Sequence, residues 1–121
     1  MWFLALVPLA LGGKQPSKRP TDEERGKELY ERHCHACHGA GARGDGPATK
    51  ALREAVPVAR NFKIDASKID LVMQGRNLMP AFGNTFDRND AKRVLRHMVR
   101  LPDVATEPPE AEKPAPEAEA P

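Results

Sequence analysis

The chain has 121 residues, of which 40% are hydrophobic and 30% charged, and its formal net charge is +2. That length has room for one domain, and the balance of residue types is that of an ordinary soluble protein, which excludes a second domain within it. A domain this small buries only a modest fraction of its surface, so a metal or cofactor at its centre would add much to its stability.

The first segment, residues 1–13, is apolar throughout. It is shorter than the roughly 20 residues that a bilayer span needs, but it suits the apolar core of a secretory signal, with Ala10 and Gly12 placed for cleavage before Gly13. Because no Lys or Arg precedes it, three alternatives stay open: an uncleaved weak anchor, a start further upstream, and a buried strand. We expect a signal peptide or N-terminal anchor here, followed by a basic, proline-bearing linker over residues 14–20.

Capping signals mark the start of the first predicted helix. Residues Thr21 to Glu24 match a capping box with acidic residues in the first turn, which predicts a helix from there to about His33. Four glycines within residues 39–46 predict a loop, and a short helix follows over about 48–54.

Two further helices are predicted in the second half of the domain. A cap at Ser67 indicates the start of one, which Gly75 closes. An irregular segment, residues 76–86, leads to the last helix, which runs from near Asp87 to Leu101 and whose apolar positions follow the helical period. Those positions are Ala91, Val94, Leu95, Met98 and Leu101. No segment alternates with a period of two, so the predicted fold is all-α.

The C-terminal segment, residues 102–121, contains six prolines, six acidic residues and one Lys. Such a segment cannot bury enough apolar surface to offset the entropy of ordering it, so we expect a disordered, acidic, Pro/Glu/Ala-rich tail. Its charge of −5 leaves residues 1–101 at +7, with 18 basic and 11 acidic residues. The predicted domain therefore covers residues 21–101.

The chain has two cysteines, and both lie in the C-x-x-C-H sequence from Cys34 to His38. This pattern is typical of c-type haem attachment, in which each thiol forms a thioether with the porphyrin and the adjacent histidine binds the iron. Cys34 and Cys37 are therefore predicted to hold a haem c covalently, and His38 to bind its iron. The first alternative is a disulfide between the two cysteines, or a redox-active pair like that of thioredoxin. The thioredoxin fold needs βαβ units, which the sequence does not predict. A zinc site is the second, and it lacks the usual second pair of ligands.

With this motif, the sequence resembles the class I monohaem c-type cytochromes, the small bacterial cytochrome c family. The resemblance extends over the whole predicted domain. Gly26 and Tyr30 precede Cys34 by eight and four residues, as a glycine and an aromatic residue do in the first helix of that family. The resemblance implies a cytochrome c fold, with three to four helices wrapped around one haem, in which this pair packs against the last helix. Leu95 and Met98 are the contacts expected there.

The resemblance also implies two further site residues. Pro47 matches the loop proline whose backbone carbonyl accepts a hydrogen bond from the axial histidine, which here is His38. Met79, in a Met-Pro pair before the last helix, matches the second axial ligand of the iron. The alternatives for that position are His33, His97 or an open site.

One feature departs from larger members of the family, which use a tryptophan to bind a haem propionate. The one tryptophan of this chain is Trp2, in the apolar N-terminal segment. The propionates must therefore use other donors, for which Arg60, Asn61, Arg76 and Asn77 are the candidates.

The last predicted helix carries a basic stripe, formed by Arg88, Lys92, Arg96 and Arg100, which is either a solvated face or a docking surface for acidic partners.

Three functions fit the sequence. The first, which we favour, is a monomeric one-electron carrier of the bacterial periplasm, not an enzyme, that serves respiratory-type redox proteins and has no nucleic-acid partner. The second is a membrane-tethered electron-entry subunit of an oxidase or dehydrogenase. The third is a haem sensor or peroxidase with an open sixth position.

Overall fold

The computed structural model describes residues 18–107 and consists of helices and connecting loops. The elements are α1 (Asp22–His33), α2 (His35–His38), a 3₁₀ helix (Pro47–Ala51), α3 (Ala66–Gln74) and α4 (Arg88–Arg100). No strand occurs within residues 18–107, so the prediction of an all-α fold is confirmed. The predicted leader, most of the linker and the end of the predicted tail lie outside the described residues. Within the described part, no helix has the length and apolar character needed to cross a membrane.

Helix α1 begins at the capping box that the sequence predicts. The Thr21 hydroxyl accepts a hydrogen bond from the backbone N–H of Glu24 at 3.2 Å, and the Glu24 carboxylate accepts one from the backbone N–H of Thr21 at 2.7 Å. These two bonds satisfy donors that a helix N-terminus otherwise leaves unpaired. The face that α1 buries carries Gly26, Leu29 and Tyr30, as the spacing predicts.

The remaining helices begin at residues close to the predicted ones. Helix α4 begins next to Asp87, as predicted, and Asp87 caps it: its carboxylate accepts the backbone N–H of Asp90 at 2.7 Å. The prediction of a cap at Ser67 is wrong: Asp65 caps α3 by accepting the backbone N–H of Lys68 at 3.0 Å, and the Ser67 hydroxyl donates to that same carboxylate. Serine and aspartate both cap helices, so the sequence alone did not distinguish Ser67 from Asp65 as the cap.

The short helix after the glycine-rich loop also differs from its prediction over residues 48–54. It is a 3₁₀ helix that begins at Pro47 and ends at Ala51. Proline suits a first helical position because its missing N–H would have no partner there. A 3₁₀ helix rarely continues beyond a few residues, so it ends early.

Helices α1 and α4 approach each other closely where they cross. A Cβ added at Gly26 would lie 2.5 Å from the backbone oxygen of Arg93, so two backbones touch where no side chain intervenes. The expected contacts, Leu95 and Met98, are not the ones nearest to this glycine, although both lie in the same core. The Tyr30 ring packs against the ring of His97, with centroids 5.3 Å apart.

The core lies where α1, α3 and α4 meet. Its buried apolar side chains are Leu29, Tyr30, Cys34, Ala42, Ile69, Val72, Phe86, Ala91, Val94, Leu95 and Met98. Within the described residues no polar or charged residue is fully buried, so the centre of the domain is apolar.

Residues 102–107, called here the C-terminal strap, differ from the disordered tail that the composition predicts. Thr106 donates to the Asp45 carboxylate twice, from its backbone N–H and from its hydroxyl, each at 2.8 Å. The Thr106 hydroxyl also accepts the backbone N–H of Ala40 at 2.8 Å. The strap therefore lies against the glycine-rich loop, and the ordered domain extends past Leu101.

The helix crossing predicts a loss of stability in Gly26→Ala. The added methyl group meets the Arg93 backbone, and overpacking of this kind typically costs about 1–3 kcal/mol. Urea unfolding of the full chain, followed by far-ultraviolet circular dichroism, measures it. Lys27→Ala, at an exposed position of the same helix, is the control and should change the free energy of unfolding by less than about 0.5 kcal/mol. Equal effects of the two substitutions would contradict the close approach.

The strap predicts a pH-dependent contribution to stability from Asp45. The Thr106 backbone N–H, and then its hydroxyl, lower the pKa of the Asp45 carboxyl below its ordinary value of 3.8. A carboxyl whose pKa is lowered by folding stabilises the fold above its unfolded pKa, and this contribution disappears as the pH falls through the folded pKa. Asp45→Asn should therefore be less stable than the wild type at pH 7, and the difference should shrink as the pH falls through the folded pKa of Asp45, as measured by urea unfolding.

Glu54→Gln is the matched control for Asp45→Asn, because Glu54 is exposed and forms no hydrogen bond or ion pair within residues 18–107. It should follow the wild type across the whole pH range. A stability difference for Asp45→Asn that does not change between pH 7 and pH 2 would show that the Asp45 charge does not hold the strap.

Candidate functional site

The C-x-x-C-H residues form a single helical turn directly after α1. Cys34 ends α1 and begins α2, and the backbone N–H of His38 donates to the carbonyl of Cys34 at 2.9 Å. Residues three and four apart share one face of a helical turn, so Cys34, Cys37 and His38 are brought together. Both thiols are free, Cys34 with 7% of its surface exposed and Cys37 partly buried.

The loop that follows folds back over this turn. The N–H of Gly44 donates to the carbonyl of His38 at 2.9 Å, and the N–H of Gly46 donates to the carbonyl of Cys37 at 3.1 Å. A Cβ at Gly46 would lie 2.5 Å from the carbonyl oxygen of His35, so a larger residue would push the loop away. The loop therefore holds the backbone of α2 in place.

A hydrogen bond from Tyr30 holds the start of the same loop. Its hydroxyl donates to the carbonyl of Gly39 at 2.5 Å. Burial, and then the charges of Cys34 and Asp45, raise the pKa of Tyr30 well above its ordinary value, so the hydroxyl remains protonated and donates. The aromatic residue of α1 thus supports the turn that carries the cysteines.

A cavity of about 250 Å³ opens beside this turn. Cys34 and His38 line it on one side, and Met79 lines it as well. Its apolar walls include Phe62, Leu71, Val72, Val94, Leu95 and Met98. The cavity thus brings together a thiol, an imidazole and a thioether inside an apolar enclosure.

Met79 reaches the cavity from a tight turn directly after α3. Arg76 and Met79 each donate a backbone N–H to the carbonyl of the other, at 3.0 and 2.9 Å, and Asn77 within the turn has a left-handed φ of 51°. Gly75, with a φ of 71°, precedes the turn, and a Cβ there would lie 2.6 Å from the carbonyl oxygen of Met79. Only a glycine accommodates both that conformation and that contact without strain.

The other candidates for the second axial position lie elsewhere within the described residues. The ring of His33 packs edge-on against the stacked rings of Phe82 and Phe86, with centroids 6.0 and 5.2 Å away. His97 packs against Tyr30, and neither histidine lines the cavity.

Burial sets the protonation state of two residues at the site. Burial lowers the pKa of His38, which keeps the imidazole neutral and able to bind a metal. Burial, and then the charge of Cys37, raise the pKa of the Cys34 thiol to about 12. The Nδ1 atom of His38 is buried without a hydrogen-bond partner within the described residues. Since Nδ1 has no partner, the bond from His38 to the carbonyl of Pro47, at the start of the 3₁₀ helix, is not formed here and stays a prediction.

These residues fit a haem c group. Two thiols lie on one turn with a neutral imidazole beside them, the cavity is lined mainly by apolar side chains, and a thioether lies on its wall. Soft sulfur and imidazole donors are those that haem iron takes in proteins.

Of the four residues proposed for the propionates, Arg60 lines the cavity and the other three do not. The sequence analysis missed Lys68, which also lines it. A signal for Lys68 was present, because it precedes the inward-facing Leu71 and Val72 by three and four residues and so shares their side of α3.

The all-α fold and the site define a c-type cytochrome domain. Residues 21–98 match the family model described as cytochrome c oxidase, cbb3-type, subunit III, and the chain belongs to this family. Its cofactor is therefore covalently bound haem c, and its chemistry is haem-based electron transfer. The chain is also 28% identical over 101 residues to dihydro-heme d1 dehydrogenase of Pseudomonas aeruginosa, a match that covers 82% of this chain. The chain spans about a fifth (20%) of the length of that relative.

Proposed function

We propose that the protein is a one-electron carrier in which His38 and Met79 are the axial ligands of the haem iron, and which serves respiratory-type redox proteins in the bacterial periplasm. The observation that carries this proposal is that Cys34, His38 and Met79 line one apolar cavity. When bound there, haem supplies one-electron chemistry through its iron.

Each site residue has a role that follows from its chemistry. Cys34 and Cys37 hold the cofactor covalently, which prevents its loss from a small domain. His38 offers a neutral imidazole, and Met79 offers a thioether that favours ferrous over ferric iron. With both positions taken, no position on the iron is left for a substrate, and this supports a carrier over an enzyme or sensor.

The walls of the cavity support the same role. Side chains from α3 and α4 keep water from the site, and an apolar environment limits the solvent reorganisation that accompanies a change of charge. Val58 and Leu78 are large apolar residues near this site that stay 65% and 52% exposed. Val58 lines the cavity and Leu78 precedes Met79, so a redox partner can approach the site over an apolar surface.

The basic stripe on α4 supports partners with acidic surfaces. Arg88 pairs with Asp70 at 2.7 Å and Arg100 with Glu23 at 3.8 Å. Lys92 and Arg96 form no ion pair within residues 18–107, so their charges are available to a partner. Such charges raise the rate of encounter more than the final affinity, and salt weakens the effect.

A second candidate is an electron-entry domain tethered to an oxidase or dehydrogenase. The family description names an oxidase subunit, and the dehydrogenase relative is about five times as long as its matched segment, since the match covers 20% of it. In both candidates the same residues hold the haem. They differ in whether residues 1–13 remain attached to the chain after export.

The axial role of Met79 predicts a specific spectroscopic loss. Met79→Ala should abolish the weak far-red band that sulfur ligation gives to ferric haem. It should also lower the reduction potential on the order of 0.1–0.2 V, a part of the ≈ 0.8 V range over which axial ligands set it. Optical redox titration of the matured protein measures both.

Met73→Ala is the matched control for Met79→Ala. Met73 is partly buried against the core and does not line the cavity, so its loss should reduce stability without changing the ferric spectrum. If Met79→Ala keeps the far-red band and the potential of the wild type, Met79 is not the ligand. High-spin ferric iron in the wild type would instead favour the sensor or peroxidase.

The two candidate functions predict different mature chains. For a free carrier, N-terminal sequencing of the exported protein should begin at or after Gly13, and the haem should appear in the soluble periplasmic fraction. Ala10→Asp, which alters the small residue before the cleavage site, should keep residues 1–13 attached and move the haem to the membrane fraction. A wild-type chain that already retains Met1 and sediments with membranes would support the tethered domain and contradict the free carrier.

A further inference from the structure

The cavity is lined by two cationic side chains among its apolar ones, Arg60 and Lys68. A cation beside an apolar cavity is unusual, because an apolar ligand gains nothing from it and desolvating a charge is costly. Haem carries carboxylate side chains on its propionates, and such a group needs a compensating charge where it enters a low-dielectric site. Arg60 and Lys68 differ in whether they are free to supply that compensating charge.

Arg60 is already engaged by the protein. Its guanidinium donates to the backbone carbonyls of Gly41, Pro102 and Leu101, the last two at 3.1 and 3.3 Å. It also pairs with Asp103 at 3.7 Å. The side chain of Arg60 therefore clamps the C-terminal strap to the glycine-rich loop, and turning it towards a ligand would leave these carbonyls unpaired.

Lys68 has no such engagement. It is partly buried in the first turn of α3, and its ammonium forms no hydrogen bond or ion pair within the described residues. The nearest acidic groups have other partners: Asp65 accepts the Ser67 hydroxyl at 2.6 Å and the Lys68 backbone N–H at 3.0 Å, and Asp70 pairs with Arg88 at 2.7 Å. The pKa of the exposed Asp65 is lowered by the hydrogen bonds from Ser67 and the Lys68 backbone N–H, and then by the charge of Lys68. The Lys68 ammonium nevertheless has no direct partner within residues 18–107, so it is available at the cavity.

We propose that Lys68 binds a propionate carboxylate of the haem and is the positioning residue that replaces the absent tryptophan. This inference rests on the proposed function, since it needs haem in the cavity beside Cys34 and His38. The long flexible stem of a lysine packs along the apolar wall while its ammonium reaches the polar edge of the ligand. Arg60 keeps the loops together, and Lys68 provides the charge.

The pairing has a consequence for the reduction potential. Ferric iron carries one more positive charge than ferrous iron, so an uncompensated carboxylate nearby stabilises the ferric form. A lysine that neutralises the carboxylate removes this preference and raises the potential. Loss of the lysine therefore lowers it.

The test is an equilibrium redox titration of the matured, haem-loaded full chain at low ionic strength. Lys68→Gln should lower the reduction potential, Lys68→Glu should lower it further, and Lys68→Arg should restore the wild-type value. The matched control is Lys63→Gln, which removes the same charge from an exposed position outside the cavity lining. The shift for Lys68→Gln should be at least three times the control shift.

Each outcome decides between the proposals. Equal shifts for Lys68→Gln and Lys63→Gln, or a failure of Lys68→Arg to restore the potential, would overturn the role of Lys68 and leave the carrier proposal intact. Should Lys68→Gln fail to mature, Lys68→Arg still provides the test, because a positioning role requires it to mature and to titrate as the wild type does. A wild-type chain that carries no covalent haem would overturn both proposals.

Discussion

The close approach of α1 and α4 at Gly26 is the contact on which the rest of the structure depends. Cys34 is the C-terminal cap of α1, so the angle at which α1 crosses α4 decides where the turn that carries Cys34, Cys37 and His38 lies. Helix α4 contributes Val94, Leu95 and Met98 both to the core and to the wall of the cavity. A side chain at Gly26 would separate the two helices and move the wall away from the cysteines.

The proposed ligand residues, His38 and Met79, lie outside the long helices, and backbone hydrogen bonds hold the segments that carry them. The glycine-rich loop donates to the carbonyls of Cys37 and His38, and the turn containing Met79 closes on Arg76. Bonds of this kind satisfy backbone groups that would otherwise be unpaired next to an apolar cavity. They also fix a loop in a domain that has few side chains available for packing. Rigid supports on both sides of the cavity suit a site that should not rearrange when its charge changes.

The sequence predicted the parts of the fold that depend on local signals. The capping box at Thr21, the start of α4 near Asp87 and the period of apolar residues along α4 each depend on a few neighbouring residues, and the structure confirms them. The C-x-x-C-H turn is equally local. The position of Met79 was a different kind of prediction, because it came from a resemblance to a family and not from periodicity.

The sequence misplaced the cap of α3 and the short helix after the glycine-rich loop, which are local errors, but its largest miss, the C-terminal strap, depends on contacts between distant residues. The strap is held by Thr106 on Asp45, which are 61 positions apart, and by Arg60 on carbonyls 41 and 42 positions away. Composition averages over a whole segment, so the prolines and acidic residues of 102–121 concealed a short ordered stretch at its beginning. No spacing pattern in the sequence predicts such long-range contacts.

Arg60 and Lys68 show why two cations beside one cavity are not interchangeable. A guanidinium presents several donors in a rigid plane and can bind several carbonyls at once, as Arg60 does at the strap. An ammonium is a compact charge on a flexible stem, and it can follow a ligand group whose position is set by other bonds. Arg60 holds the loops together, and in our proposal Lys68 balances the charge of the ligand.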